Sequence, residues 1–581
     1  MLSDDANVSH PCRFCDAASS PGWERPPRPG GTMTRPTNFF SLPALFSRLR
    51  RDRGTDPTPL TEPTPYLLED GAAGGTWAGK PIFDQQQVIG QLTTDWKIEG
   101  RVIRYGFLEA RDAVGQTGSE YAGFSAFDGA QKAATRAAME LWDDLVPMHF
   151  IETRGNVDIA LANTTTGPEQ AWAYMPTEDG NPRTPQSNIW VADPDQQWSN
   201  GWLSYGGWGA TTLVHEIGHS LGLSHPGDYN NGDDSDGDGV PDPISYGNDA
   251  VYAQDSMQYS IMSYFLNAYT GAQTLDPSLL TQNYAQTPLL HDILAIQEIY
   301  GADPTTRRGN TVYFSNSTAG NAVYDLEHNP FPYLCVYDAG GNDTFDFSTA
   351  ASGVFVDLRA GAFSSASQGY LPYAEAVAAM TAYNAVKPEG EPKTVWNPDF
   401  YAGWTGSMLS MGAAIVAADT GVSGVTATMT RNISIAYNTV IENAVGGESR
   451  DYLIGNDVAN WLKGNGGDDV LNGLGGNDTL VGGKGADSFC FFDGSGKDVI
   501  LDFTSGTDCI DLREIDANIF AAGDQAFDFI GSALFGGVAG ELRSFASWGT
   551  HLLAGDVDGD KVADFTIDLG LATVVVADLF F

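Results

Sequence analysis

The chain runs to 581 residues, with 74 acidic against 30 basic side chains, 68 glycines and five cysteines. A formal charge of -44 repels nucleic acid and anionic membranes and favours cations as partners. The length allows more than one domain, the cysteines show no spacing that would imply a disulfide scaffold, and no run reaches the roughly 18 apolar residues of a membrane span.

Residues 1–60 are rich in Pro, Arg and Ser without periodicity, which predicts a disordered leader carrying Cys12 and Cys15 as a C-x-x-C pair. The leader lacks the apolar core of a Sec-type signal peptide. An apolar rhythm in DQQQVIGQLTT predicts a first helix within 80–94. Strands are predicted over 103–107, 150–153, 157–162 and 188–191, and Ala130, Ala134, Ala138, Leu141, Trp142 and Leu145 trace the buried stripe of a helix between the first two. Strands alternating with helices predict a mixed α/β domain over 61–305.

Three of the eight histidines fall within eleven residues, His215-Glu216-Ile217-Gly218-His219-Ser220-Leu221-Gly222-Leu223-Ser224-His225. On a helix His215 and His219 project from one face and can share a zinc ion. Glu216 points off that axis, so its carboxylate is left to take a proton from a metal-bound water. Gly222 can adopt the left-handed conformation that ends a helix, which turns the chain back and brings in His225 as a third ligand, with a fourth position open for water. Downstream, Ser260-Ile261-Met262-Ser263-Tyr264 reads as a tight turn with Met262 as an apolar floor under the metal. Between these motifs Asp234, Asp236 and Asp238 with Asp242 follow the D-x-D-x-D-G spacing of a calcium loop without its distal glutamate; a solvated acidic turn is the plainer alternative.

From about 306 to the end β-rich sequence dominates, predicting a second, all-β domain over 306–581 with a loop-rich insertion at 370–428. Between Gly446 and Cys490 the sequence repeats every nine residues. Glycine opens each unit at Gly446, Gly455, Gly464, Gly473 and Gly482. An acid or amide recurs at Asp451, Asn460, Asp469, Asp478 and Asp487, and a large apolar residue two places later at Leu453, Leu462, Leu471, Leu480 and Phe489. The period suits a parallel β-roll with the apolar residues stacked inside and calcium in the turns, held by the carboxylates and by backbone carbonyls at glycines such as Gly467, Gly476, Gly483 and Gly485. Asn460 and Val458 depart from the repeat, so that turn is expected to bind weakly. Asp556, Asp558 and Asp560 with Asp564 form another acidic loop of the kind seen at Asp234.

Residues 211–229 (TTLVHEIGHSLGLSHPGDY), 248–265 (NDAVYAQDSMQYSIMSYF) and 291–303 (HDILAIQEIYGAD) resemble the serralysins, secreted bacterial zinc endopeptidases of the metzincin group. The resemblance covers most of 80–581 and implies an α+β architecture: a metzincin-like catalytic domain followed by a calcium-binding β-roll or β-sandwich domain. It implies one catalytic zinc on His215, His219 and His225, with Tyr264 ligating at rest and swinging away to hydrogen-bond the tetrahedral intermediate. It further implies calcium held by Arg307, Gly309 and Thr311 with Asp338, Gly340, Gly341 and Asp343, and by Glu442 with Gly447, Ser449 and Asp451. A short propeptide is implied, and the tail Ala577-Asp578-Leu579-Phe580-Phe581 resembles the uncleaved signal read by type I secretion machinery. Protein substrates, an extracellular location and a monomer are expected. A calcium-dependent surface or adhesion protein with a vestigial protease domain is the competing reading, and the intact ligand set opposes it.

Overall fold

The computed structural model describes residues 39–41 and 75–581, apart from 111, 113–115, 117–118, 177–184, 230–243 and 493. The Asp234 loop and the Cys12/Cys15 pair therefore lie outside the described residues. The first half is a mixed α/β unit. Helix α1 (Gln85–Leu92) opens on a capping box at Asp84 and buries Val88 and Leu92. Strands β1 (Val102–Phe107), β2 (His149–Glu152), β3 (Ile159–Thr164), β4 (Ala171–Tyr174) and β5 (Ser187–Ala192) lie in one sheet in the order β4-β5-β3-β1-β2. These five pair in parallel except β4 on β5; the segment Phe39–Ser41 adds antiparallel to the outer edge of β4, and Phe124–Ser125 pairs antiparallel with β3. Helix α2 (Gly129–Asp143) packs on helix α3 (Trp208–Ser220), where the Trp142 indole donates to the Val214 carbonyl at 3.1 Å. Strand β4 was not anticipated, because AWAY is too short to show alternation.

Helix α4 (Leu290–Tyr300) closes this half, and its Asp292 takes up the donors of the turn beneath the metal site. Beyond it the chain coils into the expected roll. Tyr452–Asn456 pairs in parallel with Val470–Leu474, and that with Ser488–Phe492, on one sheet; Trp461–Gly466 pairs with Thr479–Lys484 on the other. Leu453, Leu462, Leu471, Leu480 and Phe489 are fully buried between the two sheets, each in register with its neighbour one coil on. Successive coils approach too closely for side chains at the turns: a Cβ on Gly485 would lie 1.7 Å from the Gly467 carbonyl oxygen.

The segment 370–428 corrects the expectation of loops. It holds two helices, α5 (Tyr373–Val386) and α6 (Pro398–Thr420). Asn397 caps α6 by accepting from the Phe400 amide at 2.8 Å, Pro398 occupies its first turn, and Gly421 ends it at φ +74°. The segment is rich in Ala, Gly and Ser and lacks an amphipathic stripe, which hid its helicity. It is tied to the mixed α/β half by Arg431, whose guanidinium binds Asp419 of α6 at 2.9 Å and donates to the Thr270 carbonyl at 2.7 Å. Among the described residues no helix is long and apolar enough to cross a membrane.

Candidate metal centre

Helix α3 presents His215 and His219 on one face, and it can do so only because it ends where it does. Gly222 sits at φ +102°, where a Cβ would come within 2.2 Å of the Trp96 carbonyl oxygen, so the reversal after His219 requires glycine. The reversal brings His225 back beside the helix. One ligand atom from each of the three rings lies within 4.8 Å of the others, and all three residues are buried. Each ring is oriented by a backbone carbonyl at Nδ1: Ile261 for His215 at 2.8 Å, Leu223 for His219 at 2.8 Å and Tyr229 for His225 at 3.0 Å. A neutral imidazole facing a carbonyl through Nδ1 carries its proton there, so the Nε2 lone pairs converge.

The electrostatics fit a cation at that point. Burial pushes His215 down to about 4, and burial together with the neighbouring rings drives His219 well below the usual imidazole range, so both present neutral donors. The Nε2 atoms of His219 and His225 are 3.1 Å apart, and His215 Nε2 is buried with no hydrogen-bond partner. Glu216 is fully buried, both of its carboxylate oxygens lack partners, and desolvation pushes its carboxyl well above the ordinary range. A buried polar group left in that state costs about 1–3 kcal/mol, more if charged. A metal ion with a bound water is what this set of atoms accommodates.

Beneath it Met262 is fully buried, so close to α3 that a Cβ on Gly218 would lie 2.8 Å from its sulfur. Tyr264 stands beside the triad, its ring centroid 4.4 Å from that of His225 and 6.3 Å from that of His215. Two residues that sequence reasoning left without a role support this arrangement. Asp292 accepts from Ser260 Oγ at 2.6 Å and from the Ile261 amide at 2.7 Å, fixing the residue whose carbonyl orients His215. Asp255 accepts from Tyr229 and Ser263.

The roll carries a second arrangement. Its acidic positions form two ladders, one per sheet edge. Along the first, the amide of Asp451 donates to Asp469, that of Asp469 to Asp487, and that of Asp487 to Asp508. Along the second, Asn460 donates to Asp478 and Asp478 to Asp498. One oxygen of each carboxylate is consumed in this way, while Oδ2 of Asp469, Asp478 and Asp498 is buried without a hydrogen-bond partner. Burial pushes Asp451 up to about 8, Asp469 and Asp478 to about 7, and Asp498 to about 6. Asp498 and Asp508 escaped the nine-residue reading because the coil lengthens there; each accepts from the ladder residue 20 or 21 positions earlier, against 18 within the repeats. Backbone oxygens also reach the turns: a Cβ on Gly467 would lie 2.5 Å from the Ser449 oxygen, and one on Gly476 2.5 Å from that of Val458. A Cβ on Gly483 would lie 2.1 Å from the Asn465 oxygen.

The residues flanking the first coil come together as well. Asp343 Oδ1 accepts from the Thr311 amide, Glu442 accepts from the Asp343 amide, and Asp343 Oδ2 is buried without a partner. The carbonyl of Gly309 faces Gly341, where an added Cβ would lie 2.5 Å away. Gly340 donates to Asp338, and the Gly447 amide to Asp451. The Arg307 side chain instead turns to Asp144 and the Tyr337 carbonyl, so only its backbone is available to a cation. Asp556, Asp558 and Asp564 also cluster, while Asp560 stands outside the cluster and accepts from the Val562 amide.

Comparison with known proteins agrees with both halves. The family model "Peptidase M10 serralysin C terminal" matches residues 302–395 and 394–581. Over 513 residues the chain is 36% identical to "Metalloprotease AprA" of Pseudomonas entomophila (strain L48), covering 85% of this chain and 90% of that one. It is 33% identical over 487 residues to "Serralysin" of Photorhabdus luminescens, covering 82% and 81%. It is also 33% identical over 519 residues to "Metallopeptidase AprA" of Pseudomonas marginalis, covering 86% and 92%. A histidine triad with an adjacent carboxylate, on this fold and among these relatives, defines a metalloendopeptidase. The chain belongs to the serralysin family.

Proposed function

We propose that this metalloendopeptidase is a secreted zinc enzyme that cleaves proteins outside the cell and is stabilised by calcium. The observation that carries the zinc reading is the set of three Nδ1-to-carbonyl bonds, which aim three imidazoles at one point beside a partnerless Glu216. His215, His219 and His225 would hold the ion, with Tyr264 close enough to join them. Zinc, when bound, polarises the scissile carbonyl and lowers the pKa of its water.

The protein's own groups do the rest. Glu216 accepts the proton of the attacking water and passes it to the leaving amine, its buried carboxylate oxygens being without another hydrogen-bond partner. Tyr264 donates its hydroxyl to the oxygen on which charge develops. Met262 and Asp292 hold the floor and the His215 carbonyl in place.

Calcium is assigned to the two ladders and to the Asp343–Glu442 turn, where buried carboxylate oxygens lack protein donors. The stretch 577–581, which we read as an export signal, packs on the roll. Leu579–Phe580 pairs as a strand against Cys509–Glu514, and buried Asp578 accepts from Ser505 Oγ at 2.6 Å and the Gly506 amide at 2.9 Å.

The test is to refold the full chain in calcium, strip the catalytic metal with a chelator and restore it with stoichiometric zinc while following cleavage of an unfolded protein. Cleavage is expected to vanish and return. Full activity in protein stripped of all zinc overturns the reading.

A further inference from the structure

Asp255 lies in the stretch 248–265 but carried no role in the sequence reading, and its carboxylate joins the two segments that flank the metal position. Its Oδ1 accepts from the Tyr229 hydroxyl at 2.8 Å and from Ser263 Oγ at 2.7 Å, and its Oδ2 is buried with no hydrogen-bond partner. Tyr229 belongs to the reversal that carries His225. Its carbonyl takes the His225 Nδ1 proton at 3.0 Å, and its ring stacks on the His225 imidazole, centroids 5.6 Å apart and planes 13° from parallel. Ser263 belongs to the turn that carries Met262 and Tyr264, and its Oγ also accepts from the Phe265 amide at 3.1 Å. The Tyr229 and Tyr264 rings touch, with centroids 5.1 Å apart.

We infer that Asp255 is a positioning residue that, through Tyr229 and Ser263, locks His225 and Tyr264 in their metal-facing orientation. The inference rests on the reading of the three histidines as zinc ligands. Asp255 touches neither ligand ring. It holds the side chain of the residue whose carbonyl selects the His225 tautomer and the serine next to Tyr264, and its other oxygen is buried without a hydrogen-bond partner among the described residues. Groups that orient a ligand in this way set metal affinity by about 10–100-fold.

The test uses the calcium-loaded full chain and reads zinc affinity by competition with a chromophoric chelator, together with the visible spectrum of the cobalt(II)-substituted protein. Tyr229→Phe removes one hydroxyl and leaves the ring. It is expected to weaken zinc about 10–100-fold and to alter the cobalt spectrum. Asp255→Ala should lose a similar factor, the double variant no more than either alone, and Asp255→Asn, which keeps an acceptor oxygen, should stay within a few-fold of the parent. The inference is overturned if Tyr229→Phe and Asp255→Ala bind zinc as the parent does with unchanged cobalt spectra. It is equally overturned if their losses multiply, or if Asp255→Asn falls as far as Asp255→Ala. Should Asp255→Ala fail to fold, Tyr229→Phe and Ser263→Ala decide the question by the same readings. A parent protein that binds no zinc at all would strike the histidine assignment itself, a result distinct from any of these.

Discussion

The side-chain amide of Asn460 donates to the carbonyl of Glu442 at 3.0 Å, and also to Asn456 Oδ1 at 3.0 Å. The Asn460 oxygen stands where its ladder mate Asp478 holds a buried, partnerless one, each lying within 2.2 Å of where a Cβ would stand on the glycine five residues earlier, but that of Asn460 accepts from the Asn456 amide at 2.8 Å. A neutral oxygen already engaged by a backbone amide is a poorer ligand than a free carboxylate oxygen, so this turn of the roll is held by hydrogen bonds where its neighbours offer charge.

Replacing Asn460 with Asp should accordingly add calcium, whereas replacing Asp478 with Asn should remove it. Titration calorimetry of the folded chain is expected to show about one more ion for Asn460→Asp and at least one fewer for Asp478→Asn. An Asn460→Asp protein with unchanged stoichiometry would show that the amide was not what excluded the ion.

The ladders also make stability depend on pH and calcium together. Burial raises Asp451 to about 8, Asp469 and Asp478 to about 7, and Asp498 to about 6 in the calcium-free fold. An unfolded aspartate titrates near 3.9, so between roughly pH 4 and 8 the folded form holds more protons than the unfolded one. The stabilisation is complete below the unfolded value and is lost as pH rises through the folded values. Without calcium the roll should therefore melt at progressively lower temperature from pH 5 to pH 8. Millimolar calcium should reverse the trend, because it replaces the protons on those oxygens and its affinity rises with pH. Thermal unfolding followed by circular dichroism at several pH values, with and without chelator, measures both slopes; parallel curves would refute the linkage.

Local patterns were the legible part of this molecule. The spacing of His215 and His219 and the glycine at Gly222 act within a few residues, and the roll repeats its own register, so both could be read directly. Asp255 and Asp292 could not, because each acts through contacts made by folding: Asp255 reaches 26 residues back to Tyr229, and Asp292 reaches 31 back to Ile261. Asp498 and Asp508 were lost when a longer coil broke the period. Helices α5 and α6 lacked an apolar stripe, although Asn397 followed by Pro398 and a terminal Gly421 were start and stop signals in plain view.

Gly222 offers a test of the backbone rather than of a ligand. At φ +102° any side chain is strained, and its carbonyl accepts from Thr94 Oγ1 at 2.8 Å, which ties the reversal to the segment after α1. Gly222→Ala should cost about 1–3 kcal/mol in urea unfolding and weaken zinc by displacing His225. If zinc affinity and stability both match the parent, the left-handed turn is not what positions the third imidazole.

Glu216→Gln separates the chemistry from the metal. The amide is nearly isosteric and sits off the ligand axis, so zinc should remain bound at one ion per chain, with the triad still held by Ile261, Leu223 and Tyr229. What is lost is the ability to accept a proton. The expected result is a fall in kcat of about 10²–10⁴-fold with little change in KM, since a general base acts in the transition state and not in substrate binding. A raised KM with kcat intact would instead make Glu216 a substrate contact and leave the base unassigned.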